Sequence, residues 1–330
     1  MVWLSFENGT SQDDIDALNL NRTGGGEIPG AKAPGNPGPR SGAMRWFDAH
    51  NHLQDPRLGD DPSAGVSAAS AAGVAGLVVN GTCEADWPEV RRIALLGPSV
   101  IPAFGLHPWK VSSRTPGWRQ SLIECLERTP GAVLGEVGLD RWILEQSPGR
   151  CLELGCGPRG PAPMEEQLAV FEEQLELAAG RALPVTVHCL KAWGPLMDSL
   201  RRRPRLPRGF LLHSFGGPVE LVPELVRLGA FFSISGHSLH PRKASAHGPL
   251  FRSIPRDRLL IETDAPDQIP PAEFISHPAT DPRGHPVNSP ANLPRIAEGV
   301  AALLGIPITE LAGHCEANWR RFFGGPPTVP

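Results

Sequence analysis

The sequence predicts an α/β protein closed as a (β/α)8, or TIM, barrel, and three observations carry that prediction. Eight short β-rich apolar runs recur along the chain, helical stretches separate most of them, and ionisable groups sit at the ends of many runs. Several runs are continuously apolar rather than alternating, as strands covered on both faces should be. Eight β-α units in one domain indicate a closed barrel. The rival is an open doubly wound sheet, which differs by a strand order that sequence does not display.

The first 43 residues stand outside the pattern. Asn21 to Ala43, NRTGGGEIPGAKAPGNPGPRSGA, is rich in Gly and Pro. Such a segment buries too little apolar surface to offset its ordering entropy, so 1–43 is expected to be a disordered extension. The runs then follow in order: RWFDAH (45–50), AGLVVNGT (75–82), SVIPAFGLH (99–107) and GAVLGEVGLD (131–140). They continue with LPVTVHC (183–189), GFLLHSF (209–215), AFFSISG (230–236) and RLLIETDAP (258–266). MEEQLAVFEEQLELAAGR (164–181) shows the helical spacing of apolar residues expected between strands. Residues 142–163, WILEQSPGRCLELGCGPRGPAP, break the rhythm and read as an irregular insertion on the loop face. The barrel is therefore expected over 44–324, with a loose tail at 325–330.

Composition bounds the function. A hydrophobic share of 40% and a charged share of 20% suit a globular chain with a sizeable core. The net charge of −4 supplies no overall basic field toward nucleic acid or anionic membrane. A polyanionic substrate remains compatible, because a bound divalent metal supplies local positive charge. The six cysteines form no CxxC pair and read as reduced thiols in a cytoplasmic protein, nuclear residence being the other option. No run approaches the ~18 apolar residues of a membrane span.

The run ends carry the chemistry. His50 and His52 end the first, His107 the third, Glu136 lies in the fourth, His188 the fifth, His213 the sixth, and Glu262, Thr263 and Asp264 the eighth. Barrel strands deliver their C-terminal ends to one rim, where active sites are built. Singly, each group has a structural explanation: a hydrogen-bonded histidine, a helix cap at Glu136, a turn at Asp264 before Pro266. Together they are costly to bury unpaired, and a shared divalent metal pair removes that cost. Residues two apart on a strand share a face, so His50 and His52 can grip one ion while Asn51 points elsewhere. Asp48 lies one step deeper on the same face and is expected to support a histidine or a neighbouring strand.

These stretches resemble the TatD family of metal-dependent hydrolases, within the wider amidohydrolase-like barrels. FDAHNHL (47–53), FGLHPW (104–109), GEVGLDR (135–141), PVTVHC (184–189), LLHSFGG (211–217), IETDAPDQ (261–268) and ANWRRFFG (317–324) carry the resemblance, in the family's order. The resemblance implies a two-metal site of Mg, Mn or Zn. His50, His52 and Asp264 would hold the first ion, His188 and His213 the second, and Glu136 would bridge them. Asp264 would also act as general base on the attacking water. Lys191, Asp267, the insertion and the extension depart from the family pattern and bear on substrate.

The function that follows is a divalent-metal-dependent phosphodiesterase acting on DNA, a deoxyribonuclease. His107, Arg141 and Lys191, on motif loops, are candidates for contacts to phosphate oxygens. The alternative keeps the site and changes the bond to an ester or amide, such as the aminoacyl ester of a tRNA. A non-catalytic metal-binding barrel would predict missing ligands, and every ligand position is filled. RRRPRLPR (201–208) precedes the sixth strand and should lie on the opposite rim, as a solvated connection rather than a nucleic-acid track. Cys151 and Cys156, in the insertion, offer only two ligands for a further metal.

Overall fold

The computed structural model describes residues 44–97 and 99–324. The disordered extension expected over 1–43 and the tail expected over 325–330 lie outside the described residues. Eight parallel strands close into one barrel in sequence order: β1 (Trp46–Asn51), β2 (Val74–Asn80), β3 (Val100–Phe104), β4 (Val133–Asp140), β5 (Val185–Leu190), β6 (Phe210–Leu212), β7 (Ala230–Ser235) and β8 (Leu259–Glu262). Closure comes from Asp48 of β1 pairing with Ile261 of β8. All eight apolar runs thus became strands, and the open-sheet alternative is excluded.

Helices α1 (Pro62–Ala71), α2 (Trp87–Ala94), α3 (Trp118–Arg128), α4 (Pro148–Glu153), α5 (Met164–Arg181), α6 (Trp193–Arg202), α7 (Val222–Leu228), α8 (Pro241–Ser253), α9 (Leu293–Leu304) and α10 (Ile308–Phe323) accompany the barrel. Local chemistry sets their ends. Asp61 accepts the Ser63 N–H at 3.0 Å ahead of Pro62, a cap followed by the residue best suited to a first turn. Gly229 stops α7 in the left-handed region at φ 102°.

Two apolar layers result. One lies between strands and helices. The other gathers Phe47, Ala49, Val78, Ile101, Val133, Leu211, Phe231 and Leu260 from opposite sides of the barrel. Trp319, Phe322 and Phe323 of α10 join this inner cluster and close the N-terminal end of the barrel. Phe47 and Trp319 meet at 5.3 Å between ring centroids, and Phe231 and Phe322 at 4.8 Å.

The 142–163 insertion is more regular than expected. It contains a 3-10 turn (Trp142–Glu145) and the helix α4. Ser147 accepts the Arg150 N–H, and Pro148 occupies the first turn. Trp142, Ile143, Cys151, Leu154 and Cys156 bury themselves against Trp109 as a small core of their own. Among the described residues no single helix is long and apolar enough to cross a membrane.

Candidate metal centre and cavity

The site is built where the ladder runs past the strand ends. Backbone bonds continue from Asp264 N to His50 O at 2.9 Å and from His52 N to Ala265 O at 2.7 Å. Glu136 N bonds Gly81 O at 2.9 Å, and His213 N bonds Val187 O at 3.2 Å. Two glycines flanking Glu136 let β4 and β5 approach closely. A Cβ at Gly135 would fall 1.8 Å from Thr186 Oγ1, and one at Gly138 would fall 1.9 Å from His188 O. The GEVG stretch is therefore the local reason that Glu136 and His188 meet.

Glu136 stands at the centre, with its two oxygens facing different imidazoles. Its Oε2 lies 3.3 Å from His50 Nε2 and 3.4 Å from His52 Nε2. Its Oε1 lies 2.9 Å from His213 Nε2, 3.2 Å from His188 Nδ1 and 3.3 Å from His107 Nε2. Asp264 Oδ1 completes the first set, 3.4 Å from His52 Nε2 and 3.7 Å from His50 Nε2. The paired nitrogens are 3.2 Å apart in each set, His50 with His52 and His188 with His213. Donors arranged tetrahedrally at ordinary metal–nitrogen and metal–oxygen lengths would be separated by about 3.3–3.4 Å. The donor set thus fits divalent ions in both chemistry and spacing.

Outer contacts aim the rings. His52 Nδ1 donates to Asn80 O at 2.8 Å, which leaves Nε2 directed inward. His188 Nε2 donates to Asp140 Oδ2 at 3.0 Å, which leaves Nδ1 directed at Glu136. Asp140 is itself fixed by Trp109 Nε1 at 2.6 Å and by the Ile143 N–H at 3.0 Å. Glu262 accepts from Ser214 N and Oγ, both at 2.7 Å, and from Ser233 Oγ, and lies 3.7 Å from His213 Nδ1. Glu262 stands among the run-end groups named from the sequence, without a role, whereas Asp140 is not singled out there. Asp140 had a usable signal, since it ends the run containing Glu136 four residues on, the same face of a strand.

The electrostatics follow from this crowding. Burial opposes charge on Glu136, but His107, His213 and His50 outweigh it and hold the carboxyl well below its usual range. Burial likewise opposes charge on His52 and His188, yet Asp264 and Glu136 raise the former to about 9, and Asp140 and Glu136 raise the latter to about 9. Burial pushes His107 down to about 4. His107 Nδ1 accepts the Trp109 N–H at 3.2 Å, so the neutral ring carries its proton on Nε2 and donates it to Glu136.

The remaining expected residues separate. Asp48 is fully buried and accepts from Thr263 N at 2.9 Å and Thr263 Oγ1 at 2.6 Å. It also accepts from His50 N and Asn51 Nδ2, both at 3.3 Å, so it ties β1 to the end of β8 and touches no imidazole. Arg141 is exposed, and its backbone N–H bonds Leu190 O at 2.9 Å. Lys191 pairs with Glu145 at 2.8 Å. Neither borders the cavity in front of the metal centre.

That cavity encloses about 450 Å³, and Arg57, Lys110 and Lys243 line it beside the histidines. Arg57 is bidentate to Asp267, at 2.9 Å twice, and also bonds Asp55 at 2.7 Å. Lys110 Nζ donates to Gly155 O at 2.5 Å, which fastens the insertion to the wall. Trp142, Leu154 and Gly155 of the insertion line the same space.

A parallel barrel whose rim carries clustered imidazoles and carboxylates defines the class, a metal-dependent hydrolase. The family model described as TatD related DNase matches residues 47–324, and the chain belongs to that family. A relative from Klebsiella pneumoniae (strain 342), named 3'-5' ssDNA/RNA exonuclease TatD, is 32% identical over 279 residues, covering 84% of this chain and 97% of the relative. The crystal structure of the TatD homologue YjjV from Escherichia coli K12 superposes with a TM-score of 0.72 at 28% identity, covering 86% of this chain and 99% of that one. A TatD family hydrolase from Entamoeba histolytica shares the fold with a TM-score of 0.68 at 19% identity, covering 86% of this chain and 100% of that one.

Proposed function

We propose that the chain is a two-metal hydrolase of single-stranded nucleic acid. His50, His52 and Asp264 would hold one ion and His188 and His213 the other, with Glu136 placed to serve both. The observation that carries this reading is the division of Glu136, with Oε2 turned to one imidazole pair and Oε1 to the other. The nucleic-acid class is supported by the family and by the printed activity of the Klebsiella relative. When bound, such ions neutralise a phosphate and bring the pKa of water toward neutrality.

The chain's own groups supply the rest. Asp264 turns Oδ1 to the histidines, so Oδ2 takes the proton of the attacking water. Burial opposes its charge, but the hydrogen bond from His52 and the charges of His213 and His50 hold it below its ordinary value, as a base that remains ionised. His107 donates its Nε2 proton to Glu136 and keeps that carboxylate oriented. Lys110 and Lys243 border the cavity and give the phosphate chain a cationic wall.

The test begins from metal-stripped protein reloaded with Mg, Mn or Zn. Two ions per chain are expected, with cleavage of labelled single-stranded DNA and RNA that Asp264→Asn abolishes. Absence of cleavage under every divalent ion, or turnover of an aminoacyl-tRNA instead, would overturn the nuclease reading.

A further inference from the structure

The end of the barrel opposite the cavity carries an arginine cluster that the catalytic reading does not use. Two guanidinium groups, those of Arg258 and Arg321, sit over the one Phe231 ring at 5.1 and 5.2 Å. Arg205 folds over the neighbouring Gly229, where a Cβ would meet its Nε at 2.9 Å. Arg208 Nη2 donates to Phe322 O at 2.9 Å, beside Arg321. Among the described residues the carboxylate within reach is Asp257, 3.6 Å from Arg258 and 3.7 Å from Arg321. Both separations exceed a hydrogen bond.

The contrast with the adjacent arginines is informative. Arg201 is matched by Glu224 and Arg202 by Glu172, each at 2.7 Å. Those two belong to a solvated, neutralised face, as the sequence suggested for the whole RRRPRLPR segment. Arg205 and Arg208 instead join residues from the turn before β8 and from α10. Among the described residues, four guanidinium groups against one carboxylate leave a strongly positive patch on a chain whose net charge is −4. Burial, and the neighbouring Arg321 and Arg205, depress the Arg258 guanidinium below its ordinary value, consistent with uncompensated crowding.

We propose that Arg205, Arg208, Arg258 and Arg321 form a second, non-catalytic surface that binds the phosphate backbone of single-stranded nucleic acid. The proposal rests on the reading of the substrate as nucleic acid. Arginine is suited to the role because its planar fork matches phosphate oxygens and its charge is permanent. No base is read, since Phe231 lies buried beneath the guanidinium groups. Strands of six to eight residues, rising about 3.3 Å each and tilted by about 36° to the barrel axis, put the two ends of the barrel roughly 16–21 Å apart. A short oligonucleotide in the cavity therefore stops before this surface, whereas a long strand engages both and gains effective concentration.

The experiment uses the full chain, stripped of metal so that binding is read without turnover. Fluorescence anisotropy compares a labelled trinucleotide with a labelled strand of about 40 nucleotides, across a salt series. The double variant Arg205→Gln, Arg321→Gln should bind the long strand roughly tenfold more weakly, with a salt slope shallower by about 1.4. Trinucleotide binding, melting temperature and metal-loaded hydrolysis of bis(p-nitrophenyl) phosphate should stay unchanged. Arg205→Lys with Arg321→Lys should keep most of the long-strand affinity, since the charge is retained. Unaltered long-strand binding in the glutamine variant would overturn the proposal. So would displacement of the strand by polyglutamate at equal charge, which would point to an acidic protein segment as occupant. If the metal-loaded protein cleaves no nucleic acid yet the glutamine variant loses long-strand affinity, the second surface stands and the nuclease reading falls.

Discussion

At the scale of single residues, the carboxylates around the metal centre divide by what they touch. Asp140 accepts from His188 and Trp109. Asp140→Asn should weaken the ion assigned to His188 and His213 by roughly 10–100-fold and leave the other ion in place, which a competitive metal titration resolves. Asp48 behaves differently. Its four donors come from Thr263, His50 and Asn51 rather than from an imidazole. Asp48→Asn puts an amide donor against those donors and should cost roughly 2–4 kcal/mol of stability, seen by denaturant unfolding. Metal content of the folded variant should remain near two ions per chain; loss of one ion would show that Asp48 acts on the histidines.

At the scale of elements, close approach and loop chemistry decide the geometry. Gly138 lets β4 lie against β5, and a Cβ there would sit 1.9 Å from His188 O. Gly138→Ala should displace β5, lower the melting temperature and reduce occupancy at His188 and His213 before occupancy at His50 and His52. A second element, the hairpin of β9 (Ala279–Thr280) and β10 (Pro286–Val287), is pinned by Asp281, which accepts from the N–H groups of Arg283 and His285 at 2.8 Å each. Burial opposes the Asp281 charge, but those bonds and the His285 ring hold its pKa below the ordinary 3.8. A depressed folded-state pKa means that the contribution is complete above the unfolded value and is lost as pH falls through the lower one. The hairpin should therefore stay intact at neutral pH and loosen only below about pH 4. The Arg283 and His285 amide resonances should report one carboxylate titrating in that range; a midpoint above it would contradict the assignment.

At the scale of the whole molecule, the barrel draws residues 50 and 264 into one site through folding alone, so metal and fold are linked. Addition of Mn or Zn at about 100 times the dissociation constant should raise stability by about 2.7 kcal/mol for each ion held, about 5.4 kcal/mol for the proposed pair, and the melting temperature by roughly 9 °C, with chelator reversing the shift. The barrel was legible in the sequence because its strands are continuous apolar runs and their ionisable ends recur in register. His50, His52, Glu136, His188, His213 and Asp264 were legible for the same reason, and all six converge. Arg141 and Lys191 are not among the residues lining the cavity, because a motif loop fixes a backbone position but not a side-chain direction. Lys191 pairs with Glu145. The orientation of His107 toward Glu136 was hidden too, since it depends on a hydrogen bond to the Trp109 N–H that no spacing encodes.

The insertion that follows β4 has a consequence for how this enzyme can change. It carries its own miniature core and lends Trp142, Leu154 and Gly155 to the cavity wall, while none of the six converging rim residues comes from it. The converging rim residues and part of the cavity wall thus come from different stretches of chain. A lineage can lengthen, trim or repaint the wall and so alter what enters, without disturbing the imidazoles and carboxylates that converge on the rim.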